Sequence, residues 1–243
     1  MDRIEQLEMA YKSYLESDPD IEGKVSSVEN GKFFFIPSFE GSARVKAIYA
    51  IYIKRDYAEA KEFFYKAARV AEYMSVTFDR RIIDSGIYQI SYALLSDNKD
   101  LIQRYSTLKN SINDTVNIGF QLPNAVQNIL LNNQDELAHN IRNLERLVQV
   151  PRFKWWVNTV DVLNGFLSGS KDQIETGLQL MLKTHKKRNT DPLICKFFSI
   201  DTSGLCKLAW IKGYEIDLNS ELVPVELMPV EPLSTYEDYE FLH

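Results

Sequence analysis

Apolar positions recur along this chain mostly at helical spacing. Ile4, Leu7, Tyr11, Tyr14 and Leu15 mark one face of a helix over residues 2–16, and the polar "SDPD" that follows ends it. The period then changes. In "KVSSVENGKFFFIPSF", Asn30-Gly31 is a type I′ turn signal between two short β-prone runs, so a small β-hairpin is expected over 24–36. The alternative is a loop whose Phe33, Phe34 and Phe35 plug a gap in the core. From Ala43 onward the helical period is regular, starting with "ARVKAIYAIYIKR" and "DYAEAKEFFYKAARVAEYMSV". Between these two helices, Asp56 with Glu59 three residues on forms an N-cap signature. Next come "DRRIIDSGIYQISYALLS" with "DNKDLIQRYSTLKNSI", "NIGFQLPNAVQNILLN" with "NQDELAHNIRNLERLVQV", and "RFKWWVNTVDVLNGFLSG" with "SKDQIETGLQLMLKTHKKR". A fifth pair begins near "PLICKFFSIDTSGLCKLAWIKG". Pro123 predicts a helix beginning at that residue, with Gly119–Leu122 as connection.

The pairs read as one repeated unit. Leu95, Leu131 and Leu167 each close a first helix ahead of a polar cap ("SDNKD", "NNQDE", "SGSKD"), at intervals of 36 residues. Three equivalent buried positions are therefore expected. Helical hairpins of this length stack into a solenoid or a compact bundle. The period is similar to that of tetratricopeptide repeats, although the small residues and the Trp–Gly–Tyr positions of that pattern do not recur. The expected fold class is all-α: antiparallel helical hairpins in a repeat-like, tetratricopeptide-like bundle, with a small β-hairpin near the N-terminus and an extended C-terminal tail. We read residues 1–243 as one domain: an N-terminal helix and connector (1–42), the hairpins (43–212), and an acidic, proline-containing tail (213–243) packed on the body.

Charge sharpens this picture. From Gly213 to the end there are eight acids and no Lys or Arg. Of 34 acids and 28 bases in all, 26 acids and all 28 bases lie before it, so the negative excess belongs to the tail. A phosphate backbone needs a basic field, which argues against nucleic acid as a partner. The opening residues lack the cationic head and apolar block of a secretory leader, and no run is long enough to span a bilayer. The expectation is a cytoplasmic protein without a membrane partner. Cys195 and Cys206 would stand about 16 Å apart on one continuous helix, too far to bridge, so both are read as free thiols.

Catalytic chemistry is not legible. His139, His185 and His243 have no second ligand at metal spacing, and the chain carries no glycine-rich phosphate loop and no GxSxG. We therefore expect no enzyme, metal or cofactor. "KTHKKR" (183–188) suits a helix C-terminus, where cations meet the negative end of the dipole; docking of the acidic tail or of an anionic partner is the other reading. Trp155 and Trp156 are neighbours that would point about 100° apart on a helix, one to the core and one to a groove or interface. Trp210 falls on an apolar stripe with Leu205, Cys206 and Ala209, and is expected to be buried. In the tail, Ile216, Leu218, Leu222, Val223 and Leu227 recur between acids, as in a segment laying its apolar side on the last helices.

The late helix "GLCKLAWIKG", the extended "YEIDL", the proline-containing "ELVPVELM" and the closing "YEDYEFL" together resemble the immunity protein 49 family of bacterial polymorphic-toxin systems. The early "GSARVKAIYAIYIKRDYAEAKEFF" fits the first helical hairpin of that family. The resemblance implies a cytoplasmic antidote that binds and neutralises a cognate protein toxin, with no chemistry of its own. The toxin would be basic at the contact, and Tyr236, Glu237, Asp238 and Tyr239 are the expected toxin-binding residues: acids steer a basic partner and tyrosines supply contact area. Alternatively both tyrosines merely pin the tail to the body. The competing function is a helical-repeat scaffold or regulatory module that binds proteins or peptides.

Overall fold

A computed structural model describes residues 2–27, 31–80, 87–113 and 115–243. Eleven α-helices, and no strand among the described residues, make an all-α fold. They are α1 (Arg3–Ser27), α2 (Gly31–Tyr49), α3 (Tyr57–Phe78), α4 (Tyr88–Leu95), α5 (Lys99–Tyr105), α6 (Ile118–Leu130), α7 (Gln134–Leu147), α8 (Val157–Ser168), α9 (Lys171–Lys183), α10 (His185–Arg188) and α11 (Ile200–Ile211).

One turn design links α2 to α3, α4 to α5, α6 to α7 and α8 to α9. A residue in the left-handed region (Arg55, Asp97, Asn132 or Gly169) is followed by a capping side chain. Asp56, Asn98, Asn133 and Ser170 then accept the backbone N–H of Glu59, Leu101, Glu136 and Gln173. Each cap satisfies one orphan donor of the new helix, and the left-handed step reverses the chain. Leu95 and Leu167 stand two residues before the left-handed position, and so does Leu130. The expected equivalence of Leu131 with the other two is thus off by one residue. Leu95 is fully buried and Leu167 half-buried, but Leu131 is 46% exposed. The asparagine at 132 takes the left-handed conformation one position earlier than an even repeat of 36 requires.

The N-terminal third departs most from expectation. Instead of stopping at "SDPD", α1 runs through Pro19 to Ser27. Asp18 is held there by tertiary partners: its carboxylate accepts from Lys46 Nζ and from Ser42 Oγ, both at 2.6 Å. The β-hairpin expected at 24–36 is not formed. Asn30 lies outside the described residues, and both described flanks are helical, with α2 beginning at Gly31 and passing through Pro37. Of the three phenylalanines expected to plug the core, only Phe35 does so, half-buried against a satellite cluster. Phe33 and Phe34 are exposed, whereas Ile36 and Phe39 are buried in a satellite cluster with Val25, Val70, Met74, Phe241 and Leu242.

Two further boundaries move. Helix α6 starts at Ile118, five residues before Pro123, because Asn117 Oδ1 accepts from Gly119 N at 2.9 Å and starts the helix there. Helix α5 ends at Tyr105 rather than near Ile112; beyond it, Asn110 donates to Arg80 O (2.8 Å) and Ser111 N to Asp79 Oδ1 (2.8 Å), tying the segment to the end of α3. The expected helix over "DRRIIDSGIYQISYALLS" is described from Tyr88, and residues 81–86 lie outside the described residues.

The last helix closes the molecule. Although it follows α9 and α10 in sequence, α11 packs against α4 as well as α9. The crossing is so close that a Cβ on Gly204 would stand 2.1 Å from Ser91 Oγ, so only glycine fits. Every residue of α11 from Ile200 to Ala209 is buried, Asp201 and Lys207 included.

Candidate functional site

Two residues beyond the end of α11, Gly213 has a φ of 85°, which lets Tyr214 N bond back to Ala209 O at 2.9 Å. The remaining residues form a strap over the body. Its apolar teeth point inward: Ile216, Leu218, Val223, Leu227 and Met228 are buried, and Leu222 is half-buried. Its acids point outward: Glu215, Asp217, Glu221, Glu226, Glu231, Glu237 and Glu240 are all exposed. Trp210 is half-buried rather than buried as expected, because its indole lies at the rim and donates from Nε1 to Ile216 O at 2.9 Å, pinning the start of the strap.

A buried polar node holds the middle of the strap. Lys207 Nζ donates to three successive strap carbonyls, Leu227 (2.9 Å), Met228 (3.2 Å) and Pro229 (2.8 Å). Those bonds use all three protons, so its 2.5 Å approach to Asp97 Oδ1 is a charge contact rather than a directed hydrogen bond. Asp97 also pairs with Lys61 Nζ at 2.8 Å, and Lys61 donates to Glu231 O at 3.0 Å. Burial drives the Lys207 pKa down to about 8, against the opposing pull of the Asp97 charge. Sequence reading missed this node. Its one visible signal is a lysine inside the apolar run "LCKLAWI".

The four expected contact residues follow in the strap, with different roles. Tyr236 is half-buried; its hydroxyl donates to Ser96 O (2.7 Å) and its ring lies 4.8 Å from that of Tyr65. Asp238 takes a fork from Arg69, with Nε at 2.9 Å and Nη2 at 2.9 Å. Burial tends to raise the Asp238 pKa, and the Arg69 hydrogen bonds and charge outweigh it, so the carboxyl sits below its usual range. Arg69 also pairs with Glu72, which Arg104 Nε contacts at 2.5 Å. The Tyr239 ring stacks on Phe241 at 5.1 Å and meets Phe39 at the same distance. Phe241 and Leu242 then bury the chain end in the satellite cluster. Among the four, only Glu237 has an exposed side chain; its backbone N–H bonds to Glu62 Oε1 at 3.0 Å.

Other flagged residues have internal duties. In "KTHKKR", Lys186 and Lys187 are exposed, but Arg188 turns inward to a fully buried pair with Asp201 at 2.7 Å. His185 is buried too, 2.9 Å from Ser199 Oγ and from the Cys195 carbonyl. Trp155 and Trp156 lie on a 3-10 turn, Lys154–Trp156, and both are half-buried, so neither enters the core fully. Cys195 and Cys206 are free thiols on separate elements. No group of three or more His, Cys, Asp or Glu is placed to hold a metal among the described residues, and no described helix is long and apolar enough to cross a membrane.

A family profile, immunity protein 49, matches residues 54–227, from the start of the turn between α2 and α3 to the strap segment above Lys207. The chain belongs to the immunity protein 49 family. The late helix and the strap as far as Leu227 lie inside the match, whereas the closing "YEDYEFL" lies beyond it. No curated protein matches the chain, and no solved structure does.

Proposed function

We propose that this immunity protein binds and neutralises a cognate toxin domain in the cytoplasm, by stoichiometric contact and without chemistry of its own. The observation that carries the reading is the strap: seven outward acids and no base, along a segment anchored from beneath. An anchored row of like charge presents a preformed field to a basic partner, which raises association rate and specificity. Tyr236, Asp238 and Tyr239 contribute by holding the strap in register, and Glu237 with its exposed neighbours makes the charged contact.

The test is co-expression with candidate toxin domains, beginning with any encoded by a neighbouring gene. Protection from one of them and a one-to-one complex with it are expected; a purified protein that associates with none of them overturns the reading. Asp238 is unsuitable for probing the surface, since Asp238→Lys would set a cation against Arg69. Glu237→Lys with Glu240→Lys changes only exposed positions. The double variant should fold as the parent does and bind its toxin with a slower, less salt-sensitive association. An unchanged rate and salt dependence would remove the strap from the contact.

A further inference from the structure

Two segments separated in sequence build one basic face. The 3-10 turn that precedes α8 packs against α10, which directly follows α9. No acid occurs in residues 146–160 or in residues 176–190. Arg152, Lys154, Lys183, Lys186 and Lys187 are all exposed, and none of them is ion-paired with a described residue. Aromatic rings hold three of these cations in place. Lys154 Nζ lies 4.5 Å and Lys187 Nζ 5.5 Å from the centroid of the Trp155 ring, and the Arg152 guanidinium 4.4 Å from that of Phe153. Such contacts fix a side chain without neutralising its charge, so part of the ordering that a charged partner demands is met in advance.

The complementary surface is on the same chain. The strap carries seven exposed acids and no base. It does not neutralise the basic face within one molecule: of those seven acids, only Glu221 is ion-paired among the described residues, and its partner is Arg3. The strap begins at the far end of the α8–α9 hairpin, where the Tyr214 ring lies 6.4 Å from that of Phe166. The 12 residues of α8, about 18 Å, separate that end from Trp156. Docking of the tail on "KTHKKR", left open by the sequence, is therefore not made inside one copy. A nucleic acid running past so small a face meets the rest of a chain whose net charge is −6, whereas a strap sets seven acids against five bases and ends there.

We propose that the basic face around Trp155 is a docking site for the acidic strap of a second copy of this chain. Each copy offers one surface of each sign, so the contact is head-to-tail. Exposed ion pairs are individually weak, so the association rests on several at once and fades as salt screens them. Since the strap is also the surface proposed for the toxin, a docked copy and a bound toxin exclude each other; the inference itself rests on the charges of the two surfaces and not on the toxin reading.

The test needs no toxin, so its failure is separate from failure of the neutralisation assay. Sedimentation velocity of the full chain over a range of concentrations should show self-association at about 50 mM salt that is lost by about 500 mM. Two variants divide the contact, and both change only exposed positions. Lys186→Glu with Lys187→Glu removes the basic face, and Glu226→Lys with Glu231→Lys, Glu237→Lys and Glu240→Lys removes the strap's charge. Each alone should associate at least about tenfold more weakly than the parent. Mixed, they should form a one-to-one pair that grows no further, because each supplies the surface the other lacks. Lys12→Glu with Lys99→Glu makes the same change of net charge at exposed positions elsewhere and should associate within about twofold of the parent. The proposal is overturned by a parent that stays monomeric at low salt, by association that the Lys186 and Lys187 changes leave intact, by a mixture that forms no pair, or by an equal loss in the Lys12 and Lys99 variant. A single-stranded oligonucleotide bound through Lys186 and Lys187 by a chain that does not self-associate would give the face to nucleic acid instead.

Discussion

Lys207 and Asp97, 110 residues apart in the chain, meet at 2.5 Å with no solvent exposure on either side chain. Lys207 belongs to the closing helix and Asp97 to the left-handed turn between α4 and α5, and three strap carbonyls bond the same ammonium. One buried charge pair therefore ties together the middle of the chain, its last helix and its C-terminal strap.

Removing one partner should be far more damaging than the modest worth of an intact pair implies, because the other charge stays buried. Asp97→Ala, which leaves Lys61 and Lys207 facing each other, should lower stability by about 3–5 kcal/mol in urea denaturation. A loss below about 1 kcal/mol would mean that the node reorganises or hydrates freely.

The node also sets a pH dependence. The folded pKa of Lys207, about 8, lies below its ordinary 10.5, so between these values the unfolded chain binds the extra proton. Stability from this group is thus lost as pH falls from 10.5 toward 8 and recovered as pH rises over the same window, with a slope of at most about 1.4 kcal/mol per pH unit. The stability difference between the parent and Lys207→Met should accordingly grow in the parent's favour from pH 8 to 10. A difference that is flat or falling over that window would contradict the assignment.

The far end of the strap should respond to acid. Arg69 holds the Asp238 carboxyl below its usual range, and that contribution is present above pH 3.8 and lost as pH falls through the folded value. Asp238→Asn should loosen residues 236–243 at neutral pH, seen as faster hydrogen exchange at Phe241 and Leu242 with slower exchange retained at α11. Equal exchange in parent and variant would show that the aromatic contacts of Tyr239 suffice.

Gly204→Ala should destabilise by about 1–3 kcal/mol through overpacking, since the added methyl meets both Oγ and Cβ of Ser91. Ser91→Gly in the same chain should recover part of that loss, and a double-mutant cycle measures the coupling. Additive effects would mean that α4 and α11 separate without penalty.

Trp210→Ala should cost less than removal of a fully buried tryptophan, since the side chain is only half-buried, but it also leaves the Ile216 carbonyl without its indole donor. A denaturation midpoint equal to the parent's would contradict both the packing and the bond.

Much of the fold was legible in short windows. The Asp56–Glu59 cap starts α3 as read, the polar caps mark the hairpin turns, and the apolar residues between the tail's acids are those that pack inward. These features arise within a turn or two of chain. The candidate site was legible by half: "TYEDYEF" stood out as acid and aromatic, but nothing local said that Asp238 would meet Arg69, 169 residues away.

What the sequence determined by itself is what one helical turn or one alternating stretch can encode: the helix period, the caps, and the two-sided strap with its acids on one edge. Tertiary structure alone decided that α1, α2 and α6 run through Pro19, Pro37 and Pro123, and that Lys207 is buried. A proline removes one backbone hydrogen bond, and a buried lysine must shed its water. Local propensity therefore argues against both, and only contacts between distant segments, such as Lys46 on Asp18 or Asp97 on Lys207, can outweigh that cost.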